Sequence, residues 1–332
     1  MESRSRGQQR SIADGSGNEG TESDEGISDG RRDGAGVLIL NPVSGGGDHG
    51  ERVRELASDH GFEVRETDEE GDGVDLAAEA ASEGVDVLVA AGGDGTVNEV
   101  VRGLYEADAL GDPVVGIVPA GTGNNFAGNV GIDGIEHAFE AIEAGEVREI
   151  DVALANDRPF VNSCVGGLTA NASSETTVEA KDTFGVLAYV IETFQAMTSF
   201  EKMRLHVEAR GSEESWSGDA VCVLIGNGRR FPVEGEGQGD VEDGAVDVTL
   251  IEQRPTARLV GETAARRLLD TETSNIDRLS ASKLDLDVMG DQPVTFSLDG
   301  EMLSTNELHI EVRPRVLSLI VGGAYDPKPT VD

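Results

Sequence analysis

The chain has 332 residues, 38% of them hydrophobic, which suits two modest domains, each able to bury its own core. Asp and Glu number 64 against 26 Lys and Arg, a formal net charge of -38, and Lys181, Lys202, Lys283 and Lys328 are the only lysines. Such self-repulsion is tolerated where salt screens it, the Debye length being about 3 Å at 1 M. The composition therefore points to the cytoplasm of a salt-accumulating halophile and, lacking any basic stripe, disfavours nucleic-acid binding.

No run approaches the ~18 apolar residues of a membrane span, and the N-terminus carries no apolar signal core, so any membrane contact is expected to be peripheral. Cys164 and Cys222 show neither metal-ligand spacing nor a disulfide framework and read as small buried residues. His49, His60, His137, His206 and His309 fall singly in different elements, and no zinc site is expected.

Residues 1–34 are Ser, Gly, Asp, Glu and Arg with almost nothing apolar, and read as a disordered acidic tail. Val37-Leu38-Ile39-Leu40 is the first strand. It ends in Asn41-Pro42-Val43-Ser44-Gly45-Gly46-Gly47, after which Val53, Leu56 and Ala57 mark a helix face. A strand over 62–67 and a helix over 74–82 follow. Val85 to Ala91 then runs into Gly92-Gly93-Asp94-Gly95-Thr96 and a helix with Val97, Val100, Val101 and Leu104. A strand over 114–118 leads to Pro119-Ala120-Gly121-Thr122-Gly123-Asn124-Asn125-Phe126-Ala127. Repeated βαβ units predict a parallel sheet with the glycine turns together at its carboxyl edge.

A strand, a glycine turn and a helix start form an anion site. Unpaired N–H groups point outward, Gly offers no side chain to block a phosphate, and the helix dipole adds positive potential. The first turn lacks the Lys and the spacing of a Walker A loop, so backbone N–H and Ser44 must do the holding. Asp94 is out of place among phosphate-seeking N–H groups unless a cation or a hydroxyl lies between them. The alternative is a tight turn capped by its aspartate.

After a helix over 134–144 the pattern changes. Strands are expected over 147–155 and 160–166, joined by an Asn156-Asp157 turn, and then over 202–209, 216–225, 246–252, 284–289, 294–298, 308–312 and 316–321. Helices are expected after Asp182, carrying Phe184, Leu187, Tyr189, Val190, Ile191 and Phe194, and over 257–269. Many short alternating strands predict a mainly antiparallel β-sandwich as second domain, with the boundary near 149–151.

Asn41-Pro42-x-Ser44-Gly45, Gly92-Gly93-Asp94-Gly95-Thr96-x-Asn98-Glu99 and Pro119-x-Gly121-Thr122-x-Asn124-x-Phe126-Ala127 stand in the order and spacing of the diacylglycerol kinase catalytic domain. The whole chain after the tail resembles the soluble bacterial and archaeal lipid kinases, relatives of sphingosine and ceramide kinases. The resemblance implies an α/β nucleotide-binding domain over 35–150, a β-sandwich domain over 151–315, and a segment over 316–332 returning to the first domain. It implies an ATP- and Mg²⁺-dependent kinase acting on a lipid alcohol, diacylglycerol or a related glycerol lipid, with transient contact at the inner membrane surface. A homodimer is an open expectation.

By position the resemblance assigns nucleotide contacts to Asn41, Pro42, Val43, Ser44, Gly45, Thr67, Gly92, Gly93, Asp94, Gly95, Thr96, Val97, Asn98 and Thr122. Asp94 would position catalytic Mg²⁺. The stretch Gly226-Asn227-Gly228-Arg229-Arg230-Phe231-Pro232 and the acidic turn after it resemble the family's glycine-rich loop and structural Mg²⁺ site, with Asp240, Asp243 and Ala245 as ligands. Read without the resemblance, they are a surface loop and a hairpin turn. In Phe296-Ser297-Leu298-Asp299-Gly300-Glu301, Glu301 matches the catalytic glutamate, the base a lipid hydroxyl needs. Asn125 and Gly128 stand where the family has Asp and Arg. An NAD kinase should carry an Asn-x-Gly-x-Leu-Gly-Phe-type block at 119–127, and this chain does not. A non-catalytic nucleotide-binding regulator should have lost Asp94 or Glu301. Another small-alcohol kinase stays open.

Overall fold

A computed structural model describes residues 36–46, 48–167, 202–211, 214–231, 237–252 and 276–329. The helices expected after Asp182 and over 257–269, and the tail over 1–34, lie outside the described residues.

The first half alternates β1 (Val37–Leu40), α1 (Gly50–Asp59), β2 (Glu63–Glu66), α2 (Asp72–Glu83), β3 (Val87–Gly92), α3 (Asp94–Glu106), β4 (Val114–Pro119), α4 (Asn125–Asn129) and α5 (Ile135–Ala144). All four residues of β1 are buried, as expected of a parallel strand covered on both faces. Val53 and Ala57 of α1, Val74, Ala77 and Ala80 of α2, and Val97, Val100, Val101 and Leu104 of α3 supply the covering apolar faces. The strands lie in the order β2, β1, β3, β4, all parallel. The chain passes from β1 outward to β2 and then back across to β3. Between β1 and β3 the order therefore reverses, the place where an open α/β sheet leaves a crevice at its carboxyl edge.

The second half is β5 (Val147–Ala155), β6 (Arg158–Phe160), β7 (Ser163–Gly167), β8 (Met203–Ala209), β9 (Ser215–Gly226), β10 (Arg229–Arg230), β11 (Gly237–Gln238), β12 (Val246–Glu252), β13 (Ile276–Ala281), β14 (Lys283–Val288), β15 (Val294–Leu298), β16 (Glu301–Thr305) and β17 (Glu307–Ile320). Its pairings are antiparallel and form a β-sandwich-like layer whose core includes Phe160, Leu205, Val223, Val248, Leu286, Phe296 and Leu308.

The strands β10, β11, β13 and β16 are additions to the pattern read off the sequence, and two expected stretches differ from it. The single strand expected over 160–166 is broken at Val161-Asn162 into β6 and β7. The strands expected over 308–312 and 316–321 are one strand, β17, which pairs with β14 and β5 and reaches β4 through Leu319 and Val115. Pro314 has no N–H and Arg315 has φ 52, so the ladder slips between Arg313 and Leu317. Buried Asp151 repairs the slip, accepting hydrogen bonds from Arg315 N at 2.8 Å and Gly244 N at 2.6 Å. Past β17, Gly322 N donates to Val130 O and Tyr325 Oη to Glu242.

Candidate active site

Because β1, β3 and β4 are neighbours, their three glycine turns meet. Ser44 Oγ lies 3.1 Å from Ala120 O, Asn41 Nδ2 donates to Thr96 Oγ1 at 3.4 Å, and Ala120 N donates to Gly92 O at 2.8 Å. Glycine is required where the turns touch. A Cβ on Gly121 would stand 2.3 Å from Gly93 Cα, and one on Gly45, at φ 56, would stand 2.9 Å from Ala120 O. The third turn is closed by a reciprocal pair, with Gly121 N donating to Asn124 Oδ1 and Asn124 Nδ2 to Gly121 O.

At the first helical turn of α3 no side chain caps the N–H groups, and a Cβ at Gly95 would meet open space. Uncapped amides on a glycine face are what an anion needs. Val43 is exposed, its N–H bonded to Asn41 Oδ1, and Thr122 is exposed at the third turn. Thr67 is buried beside the first turn, its N–H on Leu40 O. Val97 is a core residue. His49, which the sequence left unassigned, places Nε2 at 3.3 Å from Ser44 Oγ and 3.1 Å from Asn41 O.

Asp94 faces the start of α4. Its carboxylate accepts Asn125 N at 3.0 Å, Asn125 Nδ2 at 3.2 Å and Phe126 N at 2.9 Å. Both carboxylate oxygens are thereby engaged by N–H donors at the start of α4. Asn125 donates where an Asp would place a second negative charge against Asp94.

From Asp94 onward, residues on successive turns of α3 share one face. Asn98 is buried there, its amide donating to Pro159 O at 3.0 Å and Asp299 Oδ2 at 3.3 Å, which takes it away from the phosphate turns. Arg102 reaches Glu301 Oε2 at 3.5 Å and Glu106 Oε1 at 2.8 Å. Glu99, on the neighbouring face, accepts Gly71 N and Gly73 N at the start of α2, and burial raises its pKa against those two bonds.

The β15–β16 hairpin turns on Asp299 at φ 49 and Gly300 at φ 111, the positive pair that a two-residue Asp-Gly turn favours. Asp299 itself escaped notice as a site residue. Its carboxylate is turned inward onto the break between β6 and β7, accepting Val161 N at 2.7 Å, Asn162 N at 3.1 Å and Ser163 N at 2.7 Å. Burial pushes its pKa up to about 6 despite those donors, and the charge of Asp94 adds to the rise. The hairpin is thereby docked on α3, where Glu301 meets Arg102.

The diacylglycerol kinase catalytic domain model matches residues 35–155, and the YegS C-terminal NAD kinase beta sandwich-like domain model matches residues 162–321. The Probable lipid kinase YegS of Salmonella dublin is 34% identical over 231 residues, 68% of this chain and 75% of the relative. The chain belongs to the diacylglycerol kinase catalytic domain family.

Another family relative, the Probable lipid kinase YegS-like protein of Citrobacter koseri, is 34% identical over the same shares of the two chains. A crystal structure of a candidate diacylglycerol kinase from Bacillus anthracis str. Sterne superposes with a TM-score of 0.70 at 25% identity, covering 88% of this chain and 97% of that one. The α/β domain with its parallel sheet followed by a β-sandwich is the architecture of the family. No described helix is long and apolar enough to cross a membrane.

In this family member the acidic turn is held largely by its own main chain and by Asp151. Asp240 Oδ1 accepts Glu242 N at 3.0 Å and Asp243 Oδ1 accepts Ala245 N at 2.9 Å. Loss of solvent around the Asp243 carboxylate, with the charges of Asp240, Asp247 and Asp151, pushes its pKa up to about 6. Among the described residues no three His, Cys, Asp or Glu side chains converge as a metal cage. A cation there would need main-chain carbonyls and water beside the carboxylates. Such crowded hard oxygens suit Mg²⁺ or Ca²⁺ rather than a transition metal.

Proposed function

We propose that the chain is an ATP-dependent lipid kinase that transfers the γ-phosphate of ATP to the hydroxyl of diacylglycerol or a related glycerol lipid. The observation that carries this reading is the meeting of the three glycine turns beside Asp94, with the Glu301 hairpin docked along the same helix. The glycine cradle fits a polyphosphate. Gly121 leaves no room for a side chain and Gly93 little, and the α3 amides at Asp94, Gly95 and Thr96 have no side-chain cap.

In this reading Ser44, Gly45 and Gly92 to Thr96 hold the phosphates, Asn41 and Thr67 flank the nucleotide, and Thr122 adds a hydroxyl from the third turn. Asp94 would hold Mg²⁺ through water, and the ion's charge would offset that of the terminal phosphates. Asn98 serves the site indirectly, by tying α3 to the hairpin. Glu301 takes the proton of the acceptor hydroxyl, a contribution of roughly 10²–10⁴-fold. Asp240, Asp243 and the Ala245 carbonyl would hold a second, structural Mg²⁺, whose charge would relieve the crowding around Asp243. The acceptor would enter from a membrane surface.

The test uses purified protein in molar KCl with labelled ATP and separate panels of diacylglycerol, ether-linked glycerol lipids, sphingoid bases and NAD. Label in the glycerol lipids supports the reading, and label in NAD alone overturns it. Glu301→Gln keeps shape and polarity but removes the basic oxygen. Turnover should fall by roughly 10²-fold or more, with Mg-ATP affinity by calorimetry little changed. Unchanged turnover rejects Glu301 as base.

A further inference from the structure

Three turns of α3 carry Asp94, Asn98 and Arg102 on one face: Asp94 is committed to α4, Asn98 to β6 and the β15–β16 turn, and Arg102 to Glu301 at the start of β16. The last commitment is not explained by stability. Arg102 and Glu301 are 38% and 30% exposed and stand 3.5 Å apart, a pair of a kind that contributes little to folding.

Two features point to a role in the reaction instead. Glu106, one turn further along α3, binds Arg102 Nε at 2.8 Å, which orients the guanidinium fork and presents Nη1 to Glu301. The other neighbouring charge is negative, since Glu99 is close enough to Glu301 for the two carboxylates to repel. Without Arg102, Glu301 would stand among carboxylates in a chain of net charge -38. Its three side-chain torsions would be free to carry it toward solvent, whereas proton abstraction needs the carboxylate in one pose.

We infer that Arg102 is a positioning residue for Glu301, holding its carboxylate at the acceptor side of the site and offsetting Glu99 and Glu106. This rests on the reading of Glu301 as the base. Nothing in the glycine turns depends on Arg102, so its loss should spare ATP binding and tell on turnover.

The experiment compares Arg102→Met, Arg102→Lys, Glu301→Gln and the double variant Arg102→Met/Glu301→Gln in steady-state lipid phosphorylation in molar KCl, with melting curves for each. Arg102→Met should lower kcat about tenfold, with KM for ATP within about twofold. Arg102→Lys should recover most of kcat, because the cation is restored. The double variant should be no slower than Glu301→Gln alone, since a positioning residue has nothing left to position.

Wild-type kcat in Arg102→Met beside a slow Glu301→Gln overturns the inference and leaves the base reading standing. Multiplying effects in the double variant overturn it as well, because Arg102 would then act independently of Glu301. Wild-type turnover in Glu301→Gln removes the base reading and this inference with it. If Arg102→Met melts below the assay temperature, Arg102→Gln, which keeps an N–H donor, replaces it in the same cycle.

Discussion

Asp94 and Asp299 are both carboxylates held by main-chain N–H groups from a neighbouring element. Asp94 sits on the first amides of α4 with solvent still at hand. Asp299 is turned inward on three consecutive amides from 161–163 and on Asn98. Similar donors thus serve different ends. A carboxylate near water can turn toward a cation without leaving a buried polar group unpaired, whereas one enclosed by amides can release them only at the cost of desolvated donors. In the proposed reading Asp94 is accordingly the carboxylate free to serve a ligand, and Asp299 the one that anchors the hairpin.

The sharpest break of this comparison is Asp94→Ala. If Asp94 serves the phosphates through Mg²⁺, transfer should fall by roughly 10²–10³-fold. Stability should fall by only about 1 kcal/mol, the loss of one cap on the short α4. Activity in a lipid phosphorylation assay and melting in molar KCl separate the two. A large loss of stability with wild-type specific activity would make Asp94 the structural carboxylate of the pair.

Asp299→Asn should act in the reverse sense. The folded-state pKa of Asp299 is raised, from an ordinary 3.8 to about 6, so the folded protein binds that proton more tightly than the unfolded chain. Its contribution to stability is full below about pH 4 and is lost as pH rises through about 6, a swing of at most about 3 kcal/mol. Carboxylates lowered by their partners, among them Glu66, Asp72, Asp219 and Asp285, run the opposite way. The informative quantity is therefore the wild-type minus Asp299→Asn difference, measured by denaturation from pH 7 to pH 4 at constant KCl. A difference flat across that range would remove Asp299 as the anchored, proton-binding member of the pair.

Gly121→Ala tests whether the turns need their close approach. Its Cβ would meet the Gly93 main chain at 2.3 Å. The two turns must then part, with a loss of about 1–3 kcal/mol in stability and weaker ATP binding by calorimetry. Wild-type affinity and melting would show that the contact is dispensable. The smallest effect belongs to Gly128→Ala in α4, where a Cβ meets nothing within 4 Å. That change should leave activity alone and raise stability by under about 1 kcal/mol; a loss of activity would mean that the α4 surface contacts a substrate.

The sequence by itself determined the βα units, the glycine turns and the antiparallel second half, because each is written in local signals: apolar runs of strand length, glycine at a turn, alternation over a few residues. Two local signals misled. Val161 and Asn162 look like strand, yet their amides are diverted to Asp299, and Pro314-Arg315 looks like a gap between strands, yet Asp151 bridges it. β16 was overlooked because Glu301-Met302-Leu303-Ser304-Thr305 lies on an edge where only partly buried side chains alternate.

Only the tertiary structure decided what Asn98, Glu99, Arg102, His49 and Asp299 touch. Asn98 and Asp299 are separated by 201 positions, and nothing in the residues between them encodes the meeting. It exists because β17 joins the sandwich strands to the parallel sheet and a two-residue turn then carries the hairpin onto α3. A motif can be read wherever the chemistry is made by neighbours in the chain. A carboxylate far along the chain becomes part of the site only once packing has brought donors to it and taken water away.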